Sequence, residues 1–216
     1  HHGTFRYEIG KLDLKPEKAL QLDLSYDRLG NHFSFIINPY VGVMKDFIYV
    51  DPTGEFIDIM PVYQYDQVDW ALQYGGDFGI HLHPHFAHFL HLESTFSYLN
   101  YSTTTESFSL IPAPRWSTTF KVEPHWKGWI TVENFNLQFV YALPQKNVVV
   151  AETPSVDYGI LNFGMNTSLG KTEQWNIQLA VRNITNTQYI DHLSRLKPLG
   201  LNNQGRNFII KLIYTM

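Results

Sequence analysis

The chain has 216 residues, of which 44% are hydrophobic and only 17% charged, and its formal net charge is −4. Without a basic excess it is a poor partner for nucleic acid, and without cysteine it has neither disulfides nor a cysteine-based zinc site. No apolar run approaches the roughly 18 residues a membrane-crossing helix needs, yet aromatic residues reach 15%, which fits a surface facing something other than water or a large aromatic-rich β-sandwich.

The opening HHGTFRYEIG lacks the apolar stretch of a signal peptide. That leaves a cytosolic chain, or the mature or truncated part of an exported one. The one short helical pattern is LKPEKAL (14–20), and Pro16 restricts it. From there period-two patterns dominate, as strands require. Leu20, Leu22, Leu24 and Tyr26 alternate with Gln21, Asp23 and Ser25, and a turn at 29–31 leads to Phe33, Phe35 and Ile37. Pro39 removes a ladder donor there and predicts a bulge or a locally exposed edge.

From 68 to 82 the alternation is long. Val68, Trp70, Leu72, Tyr74, Phe78, Ile80 and Leu82 share one parity, and Gln67, Asp69, Gln73, Asp77, His81 and His83 share the other. Gly75-Gly76 resembles a hairpin turn. Parity is unbroken across it, so the pattern predicts one strand with a kink, apolar on one face and polar on the other, as in a transmembrane β-strand that projects beyond the bilayer. Further strands follow from Leu90 and from Trp116, and then over 128–143, 155–169, 174–184 and 205–216. In the last run Phe208, Ile210, Leu212, Tyr214 and Met216 share a face, and this strand should pair antiparallel with the one holding Ile177, Leu179 and Val181. Parity switches near Glu133-Asn134 and Ile160-Leu161 predict bulges.

Connections alternate in length. Those at 29–31, 84–88, 124–127 and 170–174 are short, and those at 47–60, 102–113, 144–154 and 185–204 are long. Outer-membrane barrels alternate in this way, with short periplasmic turns and long extracellular loops. The rule places residues 1–17 on the long-loop side and the chain end on the short-turn side.

Several segments resemble one family: YEIGKLDLKPEKALQLDLSY, YQYDQVDWALQYGGDFGIHLHPHFAHFLHLESTFSYLNY, SLIPAPRWSTTFKV, VRNITNTQYIDHL and the final GRNFIIKLIYTM. Together they are similar to the C-terminal part of TonB-dependent outer-membrane transporters. Asn183, Ile184, Asn186 and Tyr189 stand where that family has Asn-Leu-x-Asn-x-x-Tyr, and Gly205-Arg206 open the last strand. The family usually ends on an aromatic residue, whereas this chain ends Tyr214-Thr215-Met216. The resemblance implies an all-β, antiparallel transmembrane barrel in the bacterial outer membrane. The pattern yields about nine strands, the C-terminal portion of a barrel of about 22 strands. On this reading residues 1–216 are barrel, and the N-terminal plug, the TonB-contacting segment and the first barrel half lie outside them. The implied function is active transport of a scarce solute such as an iron chelate, energised through TonB, with outer-membrane lipid as the surround. A passive porin-like or structural barrel is the alternative, and a soluble carbohydrate-binding sandwich a third reading.

The chemistry-bearing residues are weighed on the same terms. Of ten histidines five cluster, His81, His83, His85, His88 and His91. Imidazole suits Zn, Cu, Fe and Ni, but a polar lumen and a periplasmic turn explain the same residues, and no metal or other cofactor is expected. Carboxylate pairs such as Asp66 with Asp69, or Glu123 with Glu133, raise a hydrolase reading that nothing else supports, and no nucleophile elbow or phosphate loop is present. No catalytic residue and no enzyme activity is expected. Trp126, Trp129 and Trp175 lie near short turns and should mark an aromatic girdle. The loop 191–204 contains Arg195, Lys197 and Asn202-Asn203, donors suited to an anionic chelate. Arg195 and Arg6 are the candidate ligand contacts.

Overall fold

Side chains that alternate at period two are satisfied by a sheet with unlike faces, and this chain forms one such sheet. The computed structural model describes residues 6–103, 111–124, 126, 128–148, 152–170 and 174–215. Its strands are β1 (Tyr7–Ile9), β2 (Lys18–Asp23), β3 (Tyr26–Arg28), β4 (Phe33–Ile57), β5 (Met60–Leu82), β6 (Leu90–Ser102), β7 (Arg115–Val122), β8 (Ile130–Ala142), β9 (Tyr158–Leu169), β10 (Trp175–Arg182) and β11 (Asn207–Tyr214). The spatial order is β11-β10-β9-β8-β7-β6-β5-β4-β2, with β3 extending β2 along β4 and β1 on the edge of β5. Counting β2 and β3 as one, nine strands form an up-and-down meander. The short helical pattern at 14–20, restricted by Pro16, does not become a helix: among the described residues the sole helical element is a 3-10 turn, Lys197–Leu199, and no helix is long and apolar enough to cross a membrane.

Directly opposed residues share a face, so the register assigns the two faces. Phe35↔Ile80, Val43↔Leu72, Phe78↔Phe96, Phe120↔Leu137, Leu137↔Phe163 and Leu179↔Ile210 stand on one. Among the described residues no second layer covers them: Trp70 is 56% exposed, Phe78 44% and Ile210 76%. A soluble sandwich would bury this face. The other face carries Gln73, Asp77 and His81, as the alternation predicts. It continues into a ladder of amides in which Asn162 Nδ2 donates to Gln138 Oε1 (3.1 Å) and Gln138 Nε2 to Ser117 Oγ (3.2 Å).

β11 pairs antiparallel with β10 along its whole length, Trp175↔Tyr214 to Arg182↔Asn207, and among the described residues its other edge and that of β2 are not joined to each other. Met216 lies outside the described residues. β5 runs unbroken through Gly75-Gly76. A Cβ on Gly75 would lie 2.2 Å from Tyr98 O and 2.5 Å from the Tyr40 hydroxyl. The glycine is therefore a crossing point for the Tyr40 ring rather than a turn. Opposite Pro39, β2 gives way to β3: Leu24 N–H donates to Pro39 O (3.0 Å), and the proline returns no donor.

Two expectations are corrected. Residues 47–60 are not a long loop. They form the upper arms of β4 and β5, closed at Asp58-Ile59 with Asp58 at φ 56°, and a register shift between Pro52 and Phe56 absorbs the turn-like Thr53-Gly54-Glu55. The bulge at Glu133-Asn134 is present, but Ile160-Leu161 pairs in regular register with Val140 and Phe139. Ile160 faces the polar side opposite Val140, so the parity change reflects an apolar pair on that face and not an extra residue.

The exposed face predicts depth-dependent costs. Leu137→Arg, in mid-strand, should lower the unfolding free energy in lipid vesicles by about 2–4 kcal/mol, Leu72→Arg, two residues from Trp70, by less, and Gln138→Arg should be tolerated. Guanidine titration of the three variants checks this order.

Candidate functional site

The polar face is closed over at the end where the long connections lie. Among the described residues the β5–β6 pairing ends at Leu72↔Ser102, and β1 takes that edge of β5 in parallel, Tyr7↔Val62 to Ile9↔Gln64. Residues 10–17 then cross the β4–β5 hairpin toward β2. Gln67 ties them down, accepting from Lys15 N–H (2.9 Å) and donating to Lys15 O (2.7 Å). Lys11 pairs with Asp66 at 2.7 Å, and Glu17 accepts from Ile48 N–H at 2.6 Å. Arg6 sits at the start of this strap. It pairs with Glu8 (2.7 Å) and lies 4.5 Å over the Tyr63 ring. The Arg6 hydrogen bond and charge, with the Tyr65 hydroxyl, hold the Glu8 carboxyl below its ordinary range against a smaller burial effect.

Three further connections interlock beside the strap. In the first, between β6 and β7, Ile111 is 1% exposed and packs with Ala71 against Met44, Phe47, Tyr49 and Val68. Gln145, from the connection between β8 and β9, donates to Ile111 O (3.3 Å) and Pro112 O (3.2 Å), and bridges to Ser155 through backbone hydrogen bonds. Ser155 Oγ lies 2.8 Å from Nδ1 of the buried His192, in the connection between β10 and β11. Lys197 Nζ reaches the same nitrogen at 3.0 Å and also donates to Thr153 O. An ammonium only donates, so Nδ1 is the accepting nitrogen. The ring proton is on Nε2, 3.2 Å from Glu152 Oε1.

A second fastening starts at Arg115, the first residue of β7. Its Nη2 is 2.5 Å from Asp191 Oδ2, which also accepts from the Tyr158 hydroxyl at 2.7 Å, and the Tyr158 ring stacks on Tyr189 at 4.3 Å. Burial alone would raise the Asp191 carboxyl. The Tyr158 hydroxyl, the Leu193 N–H and Arg115 more than offset it and hold the group below the ordinary carboxylate range. Beneath lies a cleft of about 540 Å³ lined by Tyr40, Asp77, Ser97, Arg115, Asp191 and Leu193. Its charge is two carboxylates against one guanidinium, and Ser97 Oγ donates to Asp77 at 2.6 Å.

The Asn-Ile-x-Asn-x-x-Tyr motif builds this end and does not face the cleft. Asn183 is 2% exposed at φ 50°, and its amide closes a turn onto Thr187 N–H and C=O, 2.9 Å each. Asn186, at φ 54°, accepts from Arg206 N–H at 2.9 Å. A Cβ on Gly205 would lie 2.8 Å from that Asn186 oxygen, which explains glycine there.

The two arginines picked from sequence lie apart. Arg6 is on the strap beside β5, and Arg195 is exposed between β10 and β11, with four strands between β5 and β10. The carboxylates also separate: Asp66 joins Lys11, Glu123 joins Lys121 at 2.5 Å, and Glu133 accepts from Ser168 and Asn176. Arg115, Asp191, Tyr158 and His192 were not picked out by sequence reasoning. The one signal for Arg115 was a lone cation opening a strand after Pro112-Ala113-Pro114. The clustered histidines lie at the opposite, short-turn end, and among the described residues no group of three or more His, Asp or Glu side chains is placed so that it could hold a metal ion. Trp129 and Trp175 stand exposed at that end, as the girdle requires, and the Trp175 ring lies 4.7 Å from that of Tyr214.

A family model described as TonB dependent receptor-like, beta-barrel, matches residues 1–184. Among solved structures the chain is similar to the copper transporter OprC, with 19% identity, TM-score 0.79, and 95% of this chain and 34% of that one covered. It is also similar to the FrpB iron transporter from Neisseria meningitidis (F3-3 variant; 14%, 0.67, 97% and 32%) and to the siderophore receptor PirA from Acinetobacter baumannii (16%, 0.66, 94% and 32%). The chain thus spans about a third of the length of these structures. No curated protein matches it.

The lowered Asp191 carboxyl sets a pH window. Its contribution is fully present above about pH 4, the unfolded value, and is lost as pH falls through the lower folded value. Asp191→Asn should remove about 1.5–3 kcal/mol of local protection at Leu193 and its neighbours at neutral pH, and the difference from wild type should shrink below pH 4. Amide hydrogen exchange reads both.

Proposed function

Since the chain belongs to the family of TonB-dependent receptor β-barrels, whose members lie in the outer membrane, we propose that it forms the C-terminal wall of a plugged barrel of about 22 strands that imports a scarce metal chelate, most simply a ferric siderophore. Energy reaches it through TonB by way of an N-terminal plug. The short-turn end is then periplasmic and the long-loop end extracellular. One observation carries the reading. Three connections fold over the polar face and are fastened to one another by Gln145, Ser155, His192 and the Arg115–Asp191 pair, while the N-terminal strap is tied to the β4–β5 hairpin beside them, leaving a cleft bounded by Tyr40, Arg115 and Asp191. A passive pore gains nothing from such closure, whereas a capture device needs a defined cavity on its outer side.

Of the several cations at this end, Arg6, Arg195 and Arg115 are the candidate contacts for an anionic chelate, and Arg6 is paired with Glu8. Arg115 is shared with Asp191, so its donors reach a ligand only as that pair rearranges. The test uses the full-length protein. Ferric chelates, haem, corrinoids and copper complexes are screened for binding and for uptake in cells with and without TonB. The reading predicts saturable, TonB-dependent uptake of one of them, and at least about tenfold weaker binding of that compound by the double variant Arg6→Glu/Arg195→Glu. Uptake that is linear in concentration and indifferent to TonB would establish the passive barrel instead. Unchanged binding in an assembled double variant would exclude those two arginines as contacts.

A further inference from the structure

Six of the ten histidines gather at the periplasmic end of β4, β5 and β6: His32, His81, His83, His85, His88 and His91. Their rings form an unbroken series, His32–His85 5.1 Å, His85–His88 5.7 Å, His88–His83 5.6 Å, His83–His91 4.4 Å and His91–His81 5.4 Å between centroids. The deep end of the series lies on the polar face, because His81 and His83 share parity with Asp77 and His91 stands opposite Lys121. There His81 Nε2 and His91 Nδ1 are 3.2 Å apart. Two imidazole nitrogens bound to one tetrahedral Zn²⁺ at 2.0–2.1 Å stand about 3.3 Å apart.

We propose that His81, His91 and His83 form a binding site for a borderline divalent cation, Zn²⁺, Ni²⁺ or Cu²⁺, at the periplasmic mouth of the barrel. The outer contacts are those such ligands use. His83 Nε2 lies 2.7 Å from His88 O, and a carbonyl only accepts, so this nitrogen holds the proton and Nδ1 keeps a free lone pair. His91 turns Nε2 toward Glu123 Oε2 at 3.6 Å while Nδ1 faces His81. As arranged, His81 and His91 offer a two-nitrogen seat, and a side-chain rotation of His83, already stacked on His91, supplies the third donor. Lys121 and Glu123, paired with each other at 2.5 Å, bring no net charge to the spot. The site rests on the transport reading for its use, since a cation leaving the lumen meets these imidazoles last, but its chemistry does not depend on which chelate is carried.

The test is Zn²⁺ titration of the full-length protein in detergent, against a competing chelator, with His1 and His2 replaced by alanine in every sample. The proposal predicts one tight equivalent of Zn²⁺, not displaced by millimolar Ca²⁺. Affinity should fall about tenfold or more in His81→Ala and in His91→Ala, fall in His83→Ala, and hold in Phe86→Ala, from the same turn. Cu²⁺ bound at the same stoichiometry should show nitrogen hyperfine coupling that His81→Ala diminishes. Zn²⁺ affinity equal in wild type, His81→Ala and His91→Ala would overturn the site and leave the 3.2 Å contact as a hydrogen bond between neutral rings. Failure of chelate uptake in the wild-type protein would sink the transport reading and leave this titration standing.

Discussion

In hydrocarbon an unpaired backbone N–H or C=O costs several kcal/mol, so a chain that crosses a membrane as strands must give each strand a neighbour on both sides. The meander from β2 to β11 answers that demand strand by strand, and its irregularities are placed accordingly. The non-glycine residues at positive φ, Asp46, Asp58, Asn183 and Asn186, stand at the long-loop end, where water satisfies what the ladder does not. The register shift at Pro52–Phe56 and the lone parallel pairing of β1 are there as well. Within the apolar band the ladder loses little: at Pro39 one donor is missing, and Leu24 still pairs with its carbonyl.

Above the band another physics takes over. The loops have little apolar surface to bury, Ile111 being the exception, so their order comes from buried polar groups that have few alternative partners. Gln145, Ser155 and His192 link three connections in series, and Asp191 gathers Arg115, Tyr158 and Leu193. A buried polar network of this kind favours one arrangement, and in a low local dielectric each member depends on the rest. Such a cap holds its arrangement until one member is displaced.

Much of this was legible in the sequence, because one rule governs most of it. Parity assigned the faces of β5 from Trp70 to Leu82 and its continuity through Gly75-Gly76, and apolar spacing gave the pairing of β10 with β11; Val68, which parity put with Trp70 and Leu72, packs instead against Ile111. What parity could not see was where loop-like residues are absorbed into strands. Pro52, Thr53 and Gly54 look like a turn, but a long hairpin in water tolerates them as a bulge. Ile160 looked like a slip of register, whereas the polar face simply admits a Val140–Ile160 pair. The loop cap was illegible for a different reason. Arg115 and Asp191 are 76 residues apart and His192 meets Ser155 across 37, distances over which no periodicity carries information. Choosing Arg6 and Arg195 by charge alone therefore missed the cation that lines the cleft, and the Asn183–Tyr189 motif proved to be turn architecture.

The claim beneath all of this is that one face of the sheet meets lipid and the other a polar lumen. The chain has no cysteine, so single cysteines can be placed at successive positions from Ile177 to Val181 and spin-labelled in the assembled protein in lipid vesicles. Accessibility to oxygen, which partitions into lipid, and to a water-soluble nickel complex is then measured at each site. The account predicts strict alternation, with oxygen favoured at 177, 179 and 181 and the nickel complex at 178 and 180. Uniform accessibility along the strand, or protection from both reagents at 177 and 179, would contradict it and return the fold to a sheet buried on its apolar side.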